Sequence, residues 1–354
     1  YIAQAAVCFG PGINYVWGMN GSGKTNLLEA AAYLAYARSF RKSQDRELVK
    51  TGQKATSVKG LFAYDGDAYT KTVEALLKGG SKQIAVDGKK APTLSSFVGT
   101  VLISVFDPRN VFLFRGEPSE RRKAIDETLS AINPKYLYSL QRYKKLLRER
   151  NQALAQKADG EVLGVLANEL ITAAYRIVQE RLSLAAFANK VAGEYFAALF
   201  GGSEPLTLTY RTNSSLESDP AAFRKDMLYR FERHKSQEMI RRATVIGPHL
   251  DDLAGYLAGK SLAGYGSQGQ NRLASLSLTL ALAKMMKEKK GETPILILDD
   301  VLSDLDSEKK RRLTETVAGL GQSIISGSVE DRPPQARAIR VENGVVAEEK
   351  ERDN

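Results

Sequence analysis

The sequence predicts an α/β protein with a parallel sheet that is interrupted by a long helical insertion. Apolar runs typical of buried strands occur near both ends of the chain, at residues 13–17, 101–106 and 294–298. Between about residue 119 and residue 200, apolar residues instead recur at three- and four-residue steps, which is typical of packed helices. The two ends therefore form one predicted domain, and we place the boundaries at 1–115, 116–242 and 243–354.

Smaller elements follow from turn chemistry. Asp-Gly and Asn-Gly pairs between alternating segments predict tight hairpins at Asp65-Gly66, Asp87-Gly88 and Asn343-Gly344. Residues 205–211 predict a strand, and a charged helix is expected over residues 223–242.

Composition narrows the class of protein. The 354 residues are 43% apolar and 26% charged, as in soluble globular proteins, and the net charge of +10 favours a polyanionic partner. A single cysteine excludes a disulfide framework and a multi-thiolate zinc site, which is typical of a reducing cytosol. No apolar run approaches the roughly 18 residues that indicate a membrane span, so we expect no membrane partner.

The strongest motif is GMNGSGKT, residues 18–25, which lies between a predicted strand and a predicted helix. This is a complete P-loop pattern, in which glycines let backbone N–H groups face phosphates at a helix N-terminus. Lys24 is expected to reach the β- and γ-phosphates, and the Thr25 hydroxyl to ligate Mg²⁺. A chance Gly-Lys-Thr in a glycine-rich turn is the alternative interpretation.

A second motif, PILILDD, ends in Asp299 and Asp300. An apolar strand that ends in carboxylates delivers charge to the carboxyl edge of a parallel sheet, where nucleotides bind. We expect Asp299 to hold Mg²⁺ through water and Asp300 to act as a general base on the attacking water. Alone, such a strand is often purely structural, and the P-loop gives it its meaning.

A third segment, YGSQGQNR, opens a long apolar helix at Ser267. In isolation, Ser267 is simply a good N-cap residue. The order of motifs, however, resembles the ATP-binding-cassette superfamily: P-loop, insertion, Ser-Gln-Gly-Gln at a helix start, apolar strand and paired aspartates. The resemblance implies that Ser267 and its helix N-terminus close over the nucleotide of a second copy of the chain.

The chain further resembles the RecF family of bacterial recombination-repair proteins, through GMNGSGKTNLLEA, ARSFRKSQDREL, GEPSERRKAID, GPHLDDL, YGSQGQNR and PILILDDVLSDLD. The resemblance implies an SMC-like, ABC-type P-loop ATPase head with an inserted α-helical arm. It implies ATP and Mg²⁺ as ligands and an ATP-dependent homodimer in the bacterial cytosol, associated with the nucleoid. Double-stranded DNA at gaps or junctions and the mediator RecR are the implied partners, in the loading of recombinase.

The family pattern also assigns residues. Lys24, Ser267 and Asp300 are the expected catalytic residues, with Thr25 and Asp299 at the metal. The expected nucleotide contacts are Gly18, Asn20, Gly21, Ser22, Gly23, Lys24, Thr25, Asn26, Ser267, Gly269, Gln270 and Asp306.

The sequence departs from the family at several positions. Asp107-Pro108-Arg109-Asn110 stands where the family has Ser-Pro-Glu-Asp, and Leu250 follows His249 where an arginine is usual. The strand SIISGS provides Ser326 and Ser328 but no switch histidine. An aspartate base and a missing switch histidine lead us to expect slow ATP turnover, with hydrolysis acting as a reset.

Basic clusters are the expected DNA surface, because phosphate contacts need only positive charge and reach. The residues assigned to it are Arg38, Arg41, Lys42, Arg142, Lys144, Lys145 and Arg148. Further clusters occur at residues 121–123, at Arg150 and at residues 241–242, and a solvated helix face is an equal alternative for each. One histidine beside Asp251 and Asp252 is a weak ligand set, so no dedicated metal site is expected at His249.

Two other functions fit the P-loop. A transport ATPase subunit would carry a glutamine loop and a switch histidine, and the sequence shows neither. A small-molecule kinase would act as a monomer and would have no use for Ser267.

Overall fold

The computed structural model describes residues 2–41, 43–64, 69–202 and 204–348. The chain divides into two compact units. Unit 1 comprises Tyr1–Val111, Ala198–Gly202 and Ser275–Asn354, and unit 2 comprises Phe112–Ala197 and Ser203–Ala274. The functional division into a head at 1–115 and 243–354 and an arm at 116–242 stays a prediction.

The helices of the described residues are α1 (Lys24–Tyr36), α2 (Leu94–Phe97), α3 (Pro118–Ile132), α4 (Pro134–Ala155), α5 (Gly160–Phe200), α6 (Pro220–Arg241), α7 (Leu262–Tyr265), α8 (Gln268–Lys290) and α9 (Ser307–Ala318). The strands are β1 (Ile13–Trp17), β2 (Ala55–Tyr64), β3 (Tyr69–Lys78), β4 (Ser81–Val86), β5 (Lys89–Lys90), β6 (Ile103–Phe106), β7 (Leu206–Arg211), β8 (Asp252–Leu257), β9 (Lys260–Ser261), β10 (Ile295–Leu298), β11 (Ser323–Gly327), β12 (Arg337–Glu342) and β13 (Val345–Glu348).

A six-stranded sheet forms the centre of unit 1, in the order β13-β12-β1-β11-β10-β6. Its strands are parallel except for β13, which pairs antiparallel with β12. Because the carboxyl ends of parallel strands meet at one edge, the segments that follow β1, β6, β10 and β11 are brought together there. The predicted α/β class with a parallel sheet is therefore confirmed.

Helix α1 and this sheet share one apolar core. Leu28 on α1 packs with Ile297, Ile324 and Ile339 from three different strands, and all four side chains are at most 2% exposed. Burial of side chains of this size contributes about 1.5–3 kcal/mol each relative to exposure. The core therefore fixes the start of α1 against the edge of the sheet.

The hairpins are present where turn chemistry places them. Asp87 and Gly88 both have positive φ, 49° and 74°, and Asn343 and Gly344 repeat this pattern at 50° and 77°. Positive φ at both central residues is the type I′ requirement that selects Asn-Gly and Asp-Gly. Strands β2 and β3 pair antiparallel, but the Asp65-Gly66 turn predicted between them lies outside the described residues.

Unit 2 is mainly helical. It holds α3, α4 and α6, most of the 41-residue α5, and a small sheet in the order β7-β8-β9. Leu163, Leu170 and Ile177 of α5 are buried on one face, as the three- and four-residue spacing predicts. The predicted strand at 205–211 and helix at 223–242 are β7 and α6. None of the described helices is both long and apolar enough to cross a bilayer.

Candidate functional site

The loop from Gly18 to Thr25 connects β1 to α1 in a conformation that requires glycine. Gly23, directly before α1, has φ 111°, in the region that L side chains rarely adopt. At Gly18 (φ 152°), an added Cβ would lie 2.0 Å from the carbonyl oxygen of Val341. Asn20 and Gly21 are exposed at the tip of the loop, whereas Ser22 and Gly23 are buried at its base.

Lys24 folds back over this loop. Its Nζ donates to the carbonyl oxygens of Gly18 at 2.6 Å and Met19 at 3.1 Å. Burial lowers the pKa of Lys24, and the nearby carboxylates of Asp300 and Asp299 oppose that shift. The ammonium is thus held at the mouth of the loop, with partners that an incoming anion can replace.

Asp299 lies at the end of β10 and is 4% exposed. Its Oδ1 accepts hydrogen bonds from Thr25 Oγ1 at 3.2 Å and from Ser326 Oγ at 2.6 Å. Burial raises the pKa of Asp299, whereas the two hydroxyl donors lower it in part. No described residue forms an ion pair with Asp299, and a buried carboxylate with this desolvation cost is stabilised by a nearby cation.

Asp300 follows in a different environment. It is exposed, has φ 51°, and its backbone N–H donates to Ser326 Oγ at 2.9 Å. A third carboxylate, Asp107 after β6, forms an ion pair with Arg109 at 2.6 Å. The sequence departure at 107–110 therefore forms a local ion pair at this edge of the sheet.

The side chains that meet here fit a phosphate chain and a hard divalent cation. Thr25 and Asp299 provide hydroxyl and carboxylate oxygens, the ligand types that Mg²⁺ prefers. Ser22 Oγ is buried at the base of the loop without a hydrogen-bond partner among the residues described, and buried polar groups of this kind normally have one. The loop also presents its N–H groups at the start of α1.

The Ser267 segment belongs to unit 2 and caps α8. Ser267 Oγ accepts from the Gln270 N–H at 3.2 Å, and the Ser267 N–H donates to Gln270 Oε1 at 2.8 Å. This reciprocal pair is a capping box. Ser267 and Gly269 are exposed, and an added Cβ on Gly269 would meet nothing within 4 Å. The geometry fits both an ordinary cap and a docking surface, so the assigned role of Ser267 stays a prediction.

Asp306 caps α9. Its Oδ1 accepts from the Lys309 N–H at 2.9 Å, and its carboxylate pairs with the Lys309 ammonium. Hydrogen bonds from Lys309 lower the pKa of Asp306, which is exposed. Its expected contact with a neighbouring copy stays a prediction.

The basic residues assigned to DNA differ in their surroundings. Arg41 lies 3.8 Å from the carboxylate of Glu29 and 3.4 Å from Asn26, at the P-loop end of α1. Arg38 is exposed, and Lys42 lies outside the described residues. On α4, Arg142 pairs with Glu169.

The remaining α4 residues leave a broad exposed face. Lys144, Lys145 and Arg148 are exposed and fall within an arc of roughly 100° on an α-helix. Lys145 is 3.8 Å from Glu149 in a solvent-exposed pair. Of the residues assigned to DNA, these three present the most accessible continuous positive surface within one helix.

Two other arginines in the basic clusters are unsuited to DNA. Arg121 is 5% exposed and pairs with Asp252 at 2.6 Å, and Arg150 is 4% exposed and pairs with Glu238. The interpretation of Arg150 as part of a DNA surface is therefore wrong, because the guanidinium is buried and paired with Glu238 inside unit 2. Arg121 is likewise held inside unit 2, because its guanidinium donates to both carboxylate oxygens of Asp252.

The Gly-Pro-His segment is part of a buried hydrogen-bonded network. Asp251 is fully buried and accepts from Arg181 at 3.1 Å and from Tyr210 and Thr212. His249 contacts Tyr143 at 2.7 Å and the carbonyl oxygen of Thr244 at 3.0 Å. These hydrogen bonds hold the imidazole of His249 and the carboxylate of Asp251 within unit 2.

Two residues have supporting roles that the sequence did not predict. Ser326 joins Asp299 to Asp300, and only an isolated hydroxyl in an apolar strand hinted at it. Asn271, fully buried, donates to the carbonyl oxygens of Leu262, Gly266 and Ser267 at 3.0–3.2 Å and so shapes the loop before α8. An amide inside the apolar pattern of α8 was the available signal.

Comparison with known proteins agrees with this architecture. The RecF/RecN/SMC N-terminal domain family matches residues 1–332. The DNA replication and repair protein RecF of Halalkalibacterium halodurans is 34% identical over 326 residues, which cover 90% of this chain and 87% of that protein. The protein of the same name from Bacillus subtilis is 34% identical over 347 residues, which cover 94% and 93%.

Solved structures extend the agreement to the fold. The recombination mediator RecF with ATPrS, from the RecFOR pathway, superposes with a TM-score of 0.89 at 28% identity, covering 99% of this chain and 95% of that one. The Smc head of Pyrococcus furiosus matches in fold alone, with a TM-score of 0.55 at 17% identity, covering 95% of this chain and 89% of that one. The chain therefore belongs to the RecF family of DNA replication and repair proteins and has the ATP-binding-cassette fold of the SMC-like ATPase heads.

Proposed function

We propose that this chain is an ATP-gated DNA-binding ATPase of recombination repair. One observation carries the proposal: Lys24, Thr25, Asp299 and Asp300 meet at the carboxyl edge of one parallel sheet. Related structures described as RecF with ATP and with ATPrS support ATP as the ligand. The names of the relatives support DNA replication and repair as the process.

Each side chain has a distinct task in the proposed site. The loop N–H groups and the Lys24 ammonium bind and orient the phosphates, replacing the contacts of Lys24 with Gly18 and Met19. Thr25 and Asp299 hold Mg²⁺, which neutralises charge on the bound phosphates. Asp300, exposed beside this pair, orients the attacking water and accepts its proton.

The second half of the site comes from another copy of the chain. Ser267 is exposed and caps α8. In the proposed dimer, the helix N-terminus turns its backbone N–H groups and its positive dipole end toward the γ-phosphate bound by the second copy. ATP therefore closes a homodimer on double-stranded DNA at gaps or junctions. With RecR, this dimer assists recombinase loading in the bacterial cytosol, and slow hydrolysis reopens it.

The absence of a switch histidine supports slow turnover. Ser328, near the expected switch position, instead donates its hydroxyl to Asp331 at 3.0 Å. No imidazole from this strand is available to sense the γ-phosphate. A steady-state rate of many turnovers per second would contradict this part of the proposal.

Sedimentation velocity of the full chain, with and without ATP and Mg²⁺, tests the dimer. Wild type should dimerise only with ATP, and Lys24→Met should stay monomeric because it loses phosphate binding. Ser267→Arg should bind nucleotide but stay monomeric. Ser267→Asp keeps a capping side chain yet repels phosphate, and should behave like Ser267→Arg.

Ser81→Arg, at an exposed turn of unit 1, is the matched control and should dimerise like wild type. If Ser267→Arg and Ser267→Asp dimerise and hydrolyse ATP normally, the segment is only a helix cap. The proposed closure of Ser267 over the nucleotide of a second copy would then be wrong.

A further inference from the structure

The Ser326 side chain forms hydrogen bonds with both Asp299 and Asp300 at the sheet edge. It lies on β11, which runs between β1 and β10, and it is fully buried. Its hydroxyl donates to Asp299 Oδ1 at 2.6 Å and accepts from the Asp300 N–H at 2.9 Å. A serine hydroxyl has a single proton, so these two bonds fix its donor direction.

The bond to Asp300 holds an unfavourable backbone conformation. Asp300 has φ 51°, in the left-handed region that residues other than glycine rarely adopt. Without Ser326, the Asp300 N–H would lose this hydrogen bond, and the turn that separates the two aspartates would lose a constraint. Among the described residues, the carboxylate of Asp299 would keep the hydrogen bond from the Thr25 hydroxyl.

Ser326 is itself held in place from β1. Tyr15 is fully buried and donates to the carbonyl oxygen of Ser328 at 2.7 Å. Gly327 leaves room for this ring, because an added Cβ would lie 2.2 Å from Tyr15 Oη. The end of β11 is therefore rigid, and the hydroxyl of Ser326 has a defined position between the two aspartates.

We propose that Ser326 is a positioning residue that couples the cation-binding carboxylate of Asp299 to the geometry of Asp300. The coupling means that the carboxylate and the general base are oriented by one shared hydroxyl. This inference rests on the proposed ATPase function, since it assigns a task to the same edge of the sheet.

The chain offers a matched control on the same strand. Ser323 is also fully buried, but its Oγ has no hydrogen-bond partner among the residues described. Ser323→Ala and Ser326→Ala thus remove the same atom from the same strand, and only the second removes contacts with the aspartates.

The experiment measures Mg²⁺ dependence of binding of a non-hydrolysable ATP analogue, together with ATPase kcat and KM, on the full chain. Ser326→Ala should raise the half-saturating Mg²⁺ concentration and lower kcat, each by about 10-fold or more, as loss of outer-sphere support does. KM for ATP should change less, because the P-loop and Lys24 are untouched. Ser323→Ala should match wild type in every quantity.

A second pair of variants separates the effect of the hydroxyl from an effect on folding. Ser326→Thr and Ser326→Val have the same shape and differ by one hydroxyl, so Thr should retain Mg²⁺ dependence and kcat far better than Val. Equal values for Thr and Val, or a Ser326→Ala variant like Ser323→Ala, would overturn the role of Ser326 alone. Wild type without Mg²⁺-dependent nucleotide binding would overturn both this inference and the proposed function.

Discussion

Burial favours the neutral imidazole of His249, and both of its ring nitrogens form hydrogen bonds. The carbonyl oxygen of Thr244 only accepts, so Nε2 carries the proton and donates to it at 3.0 Å. Nδ1 is then the acceptor for the Tyr143 hydroxyl at 2.7 Å. Burial lowers the pKa of His249, and the nearby Arg122 guanidinium adds to this effect.

We therefore expect protonation of His249 to lower the free energy of unfolding as the pH falls. The folded-state pKa is depressed, so below the usual histidine pKa the unfolded chain takes up a proton more readily than the folded chain. The stabilisation is present above the unfolded pKa and is lost as the pH falls through the folded one. Urea unfolding between about pH 5 and pH 8 measures the loss, which should be reduced in His249→Gln.

His234 provides the control, because the chain has only two histidines. His234→Gln should keep the wild-type loss of stability. An identical pH profile in His249→Gln and wild type would contradict the expectation.

Helices α4 and α6 are joined by a buried ion pair. Arg150 donates to both carboxylate oxygens of Glu238, at 3.0 and 2.6 Å, and to Thr244 Oγ1 at 2.8 Å. Its guanidinium also lies 4.7 Å from the centre of the Phe231 ring. Partners on several sides compensate for the desolvation of both charges, which makes the pair costly to break from one side.

Removing one partner should be far worse than removing both. Glu238→Ala leaves a buried guanidinium uncompensated and should cost about 3–5 kcal/mol of unfolding free energy. The double variant Arg150→Met/Glu238→Leu fills the space with apolar atoms and should recover most of that loss. Denaturant unfolding of the full chain compares the variants.

Glu149→Ala is the control at element scale. It removes the exposed pair with Lys145, at 3.8 Å, and should cost less than about 1 kcal/mol. If Glu238→Ala is no more costly than Glu149→Ala, the buried pair does not hold α4 to α6.

The molecule has a positive net charge, but only its exposed basic side chains can contact DNA phosphates. The chain carries +10, but Arg121 and Arg150 are buried and form ion pairs with Asp252 and Glu238. Lys144, Lys145 and Arg148 remain exposed on α4. The proposed DNA surface therefore depends on these three more than on the arginine-rich strings of the sequence.

Replacing Lys144, Lys145 and Arg148 with alanine should weaken duplex DNA binding for every sequence alike. The plot of log affinity against log salt concentration has a negative slope, and each lost phosphate contact should make it shallower by about 0.9. Binding measured over a range of salt concentrations, with ATP present, gives this slope. The control Lys89→Ala/Lys90→Ala, at an exposed hairpin of unit 1, should leave the slope unchanged. If the control changes the slope and the α4 variant does not, the DNA surface does not lie on α4.

The sequence by itself determined the features that local chemistry governs. The P-loop, the Asp87-Gly88 and Asn343-Gly344 turns and the apolar strand before Asp299 follow from backbone freedom, turn preference and hydrophobic period. Motif order by itself then indicated the family. The order also predicted that Lys24, Thr25 and Asp299 meet, because parallel strands share one carboxyl edge.

Only the tertiary structure decided which charges and hydroxyls are used internally. Arg150 and Glu238 are 88 residues apart, and Ser326 and Asp299 are 27 apart. Whether such groups meet depends on how helices and strands pack, and no local pattern encodes that distance. Burial then fixed the outcome for the charges, because a charge removed from water is costly unless it is paired inside the fold.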